Sequence, residues 1–296
     1  MTSPSERPSR RLGYPGAAGF TIALVVGLVF VVSLTASLRE GAETDVVNLT
    51  GCYALVHLAL VFVLVRLYRP EDRLRDALGL RLMNPLHVLL AAAVGAGVYP
   101  ALARINDRFS TAFPIDHDDQ EKLEALYSTP TLRAKIALFV GLVFVIPACE
   151  ELLFRGVLFG ALQRGRSGSA NLLRVVVACA GYFALAQANV RVIATAFLLG
   201  LVLGWLRARG GSTFLSFVAQ VAHLAVPLGP LLHGGAIRED ASFDLRWVGG
   251  GLAMATLAAG GLALSFRSSK VVAAARDADA RDAAVVPKDE PVDDDA

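Results

Sequence analysis

Charge is scarce in this 296-residue chain: 18% of residues are Asp, Glu, Lys or Arg, against about 25% in an ordinary soluble domain. Lysine is nearly missing, with 4 beside 24 arginines. The net charge of +2 excludes a global basic field of the kind that gathers nucleic acid, so no nucleic-acid partner is expected. Cysteine is rare as well. Cys52, Cys149 and Cys179 each lie in an apolar run with no CxxC or paired spacing, which excludes a disulfide framework or a zinc knuckle. They read as small buried hydrophobes. Internal repeats are also lacking, and with them the inverted-repeat signature of many secondary transporters.

What the chain has is apolar length. Hydrophobic residues make up 55% of it, and the mean hydropathy is +0.55. They sit in long blocks rather than on alternating faces, which rules out a soluble domain. A helix crossing a hydrocarbon core needs about 20 mainly apolar residues. Eight stretches qualify: 17–38, 46–68, 85–103, 131–162, 172–189, 190–206, 213–232 and 247–266. The first follows Arg7, Arg10 and Arg11, but it exceeds the roughly 7–15-residue core of a signal peptide and no A-x-A site follows. It is therefore expected to stay as an anchor. The predicted fold is all-α, a polytopic membrane helix bundle of about eight transmembrane helices. One domain covers 17–266, its motif-bearing core 131–233, between disordered ends at 1–16 and 267–296, which lack the apolar surface to offset ordering entropy.

Arginine asymmetry sets the expected orientation. One set of connections carries Arg69, Arg73, Arg75 and Arg81, then Arg164 and Arg166, then Arg207 and Arg209. The other carries Glu40, Glu43 and Asp45, then Asp116, Asp118, Asp119, Glu121 and Glu124. Both termini are thus expected in the cytoplasm. The excess of Arg over Lys, with abundant Ala and Gly, suggests a GC-rich bacterial genome and hence the inner (plasma) membrane, with the lipid bilayer as the first partner.

The informative stretch is VFVIPACEELLFRGVLFG, residues 143–160, where Glu150, Glu151 and Arg155 interrupt an apolar run. A charge near the bilayer centre costs at least about 2.5–3.5 kcal/mol, so three within six positions call for a reason. Glu151 and Arg155 stand i, i+4 with the acid first, the favourable helical ion-pair order. Glu150 points about 100° away and lacks that partner, which makes it a candidate general base. Pro147 removes a backbone hydrogen bond just upstream. The plain structural reading is a buried ion-pair network between helices.

Glu150-Glu151-x-x-x-Arg155 is followed by Phe183-x-x-x-Gln187, the block FLLGLVLGW at 197–205, and a helix opened by Gly211-Ser212. Together these resemble the CPBP family of intramembrane proteases, which takes in CAAX prenyl endopeptidases and the bacteriocin-processing or immunity (Abi) proteins. The resemblance covers about 74–233. It implies a hydrolase acting on a membrane-anchored, prenylated or leader-bearing protein or peptide, with Glu150 activating water beside Glu151 and Arg155. The family's first motif histidine falls on Gln187. Counted from Ser212, its second falls on Gln220, with Leu224 at the asparagine position; another register puts that histidine on His223 and the asparagine on Pro227. The resemblance allows zinc, yet Glu150, Glu151 and His223 are too few for a zinc site, glutamine being a rare ligand. No other cofactor is expected. A glutamine cannot take a proton from water, but it can orient water or donate to an oxyanion. Losing a histidine acid or base typically forfeits about 10²–10⁴ in rate, so weak or altered activity is one expectation. A non-catalytic relative that binds a membrane peptide as immunity factor, chaperone or scaffold is the other.

Along their helices Glu150 and Gln187 are expected about 20 Å from the cytoplasmic ends and Gln220 about 13 Å, converging on a polar cavity with His223 at its rim. Other motifs read as ordinary structure. Gly165-Arg-Ser-Gly168 matches a rhomboid GxSG string but has no base in reach. Cys149 has no basic neighbour to activate it. His57 and His87 are expected to hydrogen-bond neighbouring helices, His117 to be solvated, and His233 to cap a helix end. Gly200 and Gly204 form a small-xxx-small packing face.

Overall fold

A computed structural model describes residues 11–42, 44–114, 116–117, 120–121, 131–164, 168–233 and 243–285. Among these the chain is all helix: α1 (Tyr14–Leu38), α2 (Val46–Tyr68), α3 (Leu74–Ala77), α4 (Pro85–Ala112), α5 (Leu132–Gln163), α6 (Ser169–Ala186), α7 (Val190–Gly210), α8 (Thr213–Leu228) and α9 (Leu245–Val285). Seven of the described helices are long and apolar enough to cross a membrane. This is a polytopic membrane bundle. The eighth expected span is shorter: α8 has 16 residues and gives way to a 3₁₀ turn at Gly229–His233. Pro227 near its end cannot supply the backbone donor that would continue it.

Sequence chemistry marks the helix starts. Asp45 accepts from the backbone of Val47 and Asn48, Asn84 from Leu86 ahead of Pro85, Thr131 from Ala134, Asn189 from Arg191 and Ser212 from Phe214. Each satisfies an orphan N–H of a first turn. Gly211, with φ 66°, ends α7 in the left-handed conformation that glycine tolerates best.

The ends differ from expectation. α1 begins at Tyr14 rather than 17, and α9 continues to Val285, although a disordered tail from 267 was expected. Alanine, the strongest helix former, punctuates 273–284 and favours continuing the helix. Residues 1–10 and 286–296 lie outside the described residues, as do 165–167 of the GxSG string and Asp118, Asp119 and Glu124 of the acidic connection.

Two apolar clusters build the interior. One joins α1, α2, α5 and α6 through Leu24, Leu64, Phe154, Val157 and Phe183; the other joins α4, α7, α8 and α9 through Val94, Leu203, Ala219 and Leu262. Large apolar side chains such as Ile22, Phe30, Phe62, Leu89, Trp247 and Leu264 are exposed, as lipid contact requires. Gly95 lets α4 lie directly on α8, since a Cβ there would overlap the Ala219 carbonyl. Gly200 and Gly204 similarly seat α7 on Ala180 and Val176 of α6. A clip fixes the start of α8: Ser212 Oγ donates to the Arg81 carbonyl at 2.8 Å, Thr213 Oγ1 to Leu78 at 2.7 Å, and the Thr213 N–H to Gly79 at 3.0 Å.

Candidate active site around Glu150

α5 is not a uniform helix. It widens to π geometry at Gly141–Val145, just before Pro147, and again at Leu152–Leu158. Such stretches shift the carbonyl register and occur often at functional positions. Between them lie Glu150 and Glu151, both buried.

Glu151 faces Arg155 as its spacing predicts. Arg155 Nη1 donates to Glu151 Oε1 at 2.8 Å, and neither side chain is more than 1% exposed. Arg155 also donates from Nη2 to the Gly200 carbonyl at 3.3 Å and lies 4.3 Å from the centre of the Phe183 ring. Its own carbonyl accepts from Arg207 Nε at 2.9 Å, so a second buried arginine is tied to this turn. The pair therefore bolts α5 to α6 and α7.

Glu150 turns the other way and meets three donors from three other places in the fold. Gln187 Nε2 donates to Oε1 at 3.1 Å and Gln220 Nε2 to Oε2 at 2.5 Å. The phenol of Tyr53 on α2 donates to Oε1 at 2.6 Å. Gln187 is held at the end of α6 by a tight turn in which Ala188 adopts φ 48°, a costly conformation for a residue with a Cβ. Gln220 is buried in the middle of α8, and its Oε1 has no hydrogen-bond partner. The amides close directly on the carboxylate rather than facing it across the expected cavity.

The histidines make contacts of their own. His223, one turn beyond Gln220, packs edge-to-face on Tyr99 of α4 with ring centres 5.3 Å apart, and its Nδ1 is unpaired. His57 bonds within its own helix, Nδ1 donating to the Tyr53 carbonyl at 2.9 Å, and its ring stacks on Tyr53 at 4.0 Å. That bond replaces the interhelical one expected of it and leaves a buried Nε2 without a partner. His87 does bond across helices, to Ser265 at 2.7 Å. Sequence reasoning missed Tyr53 altogether; a phenol in a span is amphipathic but carries no spacing signal linking it to α5.

The donor set does not suit a resident metal. Tyr53 and Gln187 occupy Glu150 Oε1, Gln220 occupies Oε2, and Arg155 neutralises Glu151. No cluster of three His, Cys, Asp or Glu occurs among the described residues. What the arrangement can do is hold the carboxyl group of Glu150 in a fixed orientation among neutral donors, with one acceptor position on Oε2 left for water.

Fold and site together describe a polytopic membrane protein with a buried, hydrogen-bonded acid on a broken helix. Residues 132–226, about a third of the chain, match the family model described as type II CAAX prenyl endopeptidase Rce1-like. That stretch holds Glu150, Glu151, Arg155, Gln187, Gln220 and His223, and it agrees with the resemblance read from the motifs. The match supports a CAAX-type intramembrane protease-like role in general terms. No curated protein and no solved structure matches the chain.

Proposed function

We propose that the protein is a slow intramembrane endopeptidase acting on a membrane-anchored, prenylated or leader-bearing polypeptide in a bacterial plasma membrane, with both termini cytoplasmic. The supporting observation is the convergence of Tyr53, Gln187 and Gln220 on one buried carboxylate at the family's motif position. In this reading the free acceptor position of Glu150 Oε2 takes the proton of a water as its oxygen attacks the scissile carbonyl. Each glutamine amide has a second N–H, and one of these donates to the resulting oxyanion. The unpaired Oε1 of Gln220 accepts from water or a substrate N–H. Arg155 and Glu151 hold the helix on which Glu150 rides.

An apolar cavity of about 220 Å³ between α1, α2 and α5 runs past Leu28, Leu49 and Leu142 to Tyr53, which gives a hydrophobic substrate a route toward the carboxylate. Turnover is slow because neutral amides replace proton-carrying histidines. A second reading has its own support: Tyr53 and Gln187 already fill both acceptor positions of Oε1, as befits a rigid binding protein rather than a base. Cleavage of a fluorogenic prenylated CAAX peptide in proteoliposomes separates the two. Glu150→Gln should abolish cleavage by an enzyme. Peptide binding without wild-type cleavage establishes the binding protein.

A further inference from the structure

The ends of α2, α5 and α7 and the connection around α3 enclose a second, polar pocket of about 410 Å³, whose lining includes neither Glu150 nor any of its three donors. Its wall carries four arginines: Arg69 just after α2, Arg81 after α3, Arg164 just after α5, and Arg207 in the last turn of α7. The carboxylates lining it are Asp72, already bonded to Arg69 Nε, and Asp76. Among the described residues Arg81, Arg164 and Arg207 make no ion pair.

Arg207 is the decisive group. It is only 9% exposed, donates Nε to the Arg155 carbonyl, and lies 5.4 Å from the centre of the Phe159 ring. Among the described residues no carboxylate lies within ion-pair distance of this guanidinium, and Arg81 and Arg69 act on it with like charge while Glu151 is the one opposing carboxylate it senses, an arrangement that is costly. Glycines make room for the cluster: a Cβ on Gly79 would collide with Arg207 Nη2, and one on Gly160 would come within 2.6 Å of Arg69 Nη1. The arginines are therefore seated in a recess built for them, with most of their donors unspent. Arg164 uses Nη1 on the Tyr68 carbonyl, and the Arg81 guanidinium makes no hydrogen bond among the described residues.

We infer that this pocket binds a phosphate group, supplied by the headgroup of an anionic lipid. All four basic residues are arginine, whose planar fork matches phosphate bidentately. The volume falls within the range of small-ligand sites. The pocket opens among the ends of spanning helices, the level at which headgroups lie, and basic pockets between such ends favour anionic lipids. Because Arg207 also holds the backbone of Arg155, the lipid site and the Glu150 turn share one structural link.

The test uses the full-length protein in neutral detergent, given phosphatidylglycerol or phosphatidylcholine at equal mole fraction, with retained lipid read by native mass spectrometry. Phosphatidylglycerol should be retained at least about tenfold better than phosphatidylcholine, and each arginine removed should weaken retention about fivefold. Arg164→Gln combined with Arg81→Gln should therefore release most of it. Arg81→Gln alone, an exposed position, should show its fivefold loss with an unchanged thermal midpoint in phosphatidylcholine, which keeps the test valid if the double variant misfolds. Equal retention of the two lipids, or full retention by a folded Arg81→Gln variant, overturns the site. Displacement of the lipid by inorganic phosphate at matched concentration overturns the lipid assignment in favour of a soluble anion.

Discussion

Removing Arg155 should expose how strongly the buried pair holds the bundle. The guanidinium is fully buried, bonded to Glu151 at 2.8 Å and to the Gly200 carbonyl at 3.3 Å, and stacked on Phe183. Arg155→Met keeps most of the side-chain volume but leaves the Glu151 carboxylate buried without a cation. Breaking a buried pair from one side costs about 3–5 kcal/mol. Glu151→Gln strands the arginine instead, with a loss of similar size. The double variant removes both charges, and because apolar replacement of a whole pair is often nearly neutral, it should recover much of the loss. A coupling energy of about 2 kcal/mol is expected from the cycle. Titration with sodium dodecyl sulfate in mixed micelles, followed by the fluorescence of Trp205 and Trp247, measures it. Additive losses, or an Arg155→Met loss below about 1 kcal/mol, would refute the argument that this pair is an energetically coupled bolt.

Other outcomes follow from the same contacts. Gln187→His with Gln220→His should raise cleavage of the prenylated peptide, by at most about 10²–10⁴, and no gain alongside indifference to Glu150→Gln would favour the binding protein. Tyr53→Phe removes a donor from a carboxylate and should lower stability by about 1.5–3 kcal/mol in the same titration, whereas a neutral result would mean the phenol is not bonded to Glu150. Gly95→Ala drives a methyl into the Ala219 carbonyl and should cost about 1–3 kcal/mol by forcing α4 from α8; Gly249→Ala, where a Cβ meets open space, serves as its control. Reporter fusions between 105 and 130 should report the outside of the cell, and a cytoplasmic signal there would reverse the orientation.

Seven of the eight expected spans, the all-helical class and the Glu151–Arg155 pair were legible in the chain itself, because hydropathy and the 3.6-residue period are local properties that need no knowledge of neighbours. Gln187 and Gln220 were reachable only through the family resemblance, since nothing in their own surroundings distinguishes them from other polar residues in apolar runs. Tertiary structure decided the rest. Tyr53 is 97 positions from Glu150 and joins it only because α2 packs along α5. His223 shares the helix of Gln220, yet its ring packs on Tyr99 of α4, a contact that no spacing in the sequence announces. The four arginines of the polar pocket come from three separate stretches of chain, the α2–α4 connection and the ends of α5 and α7, and meet only in the folded bundle. Which way a helix faces about its own axis depends on what packs against it, and in a span that is apolar almost all round, sequence periodicity carries little of that information.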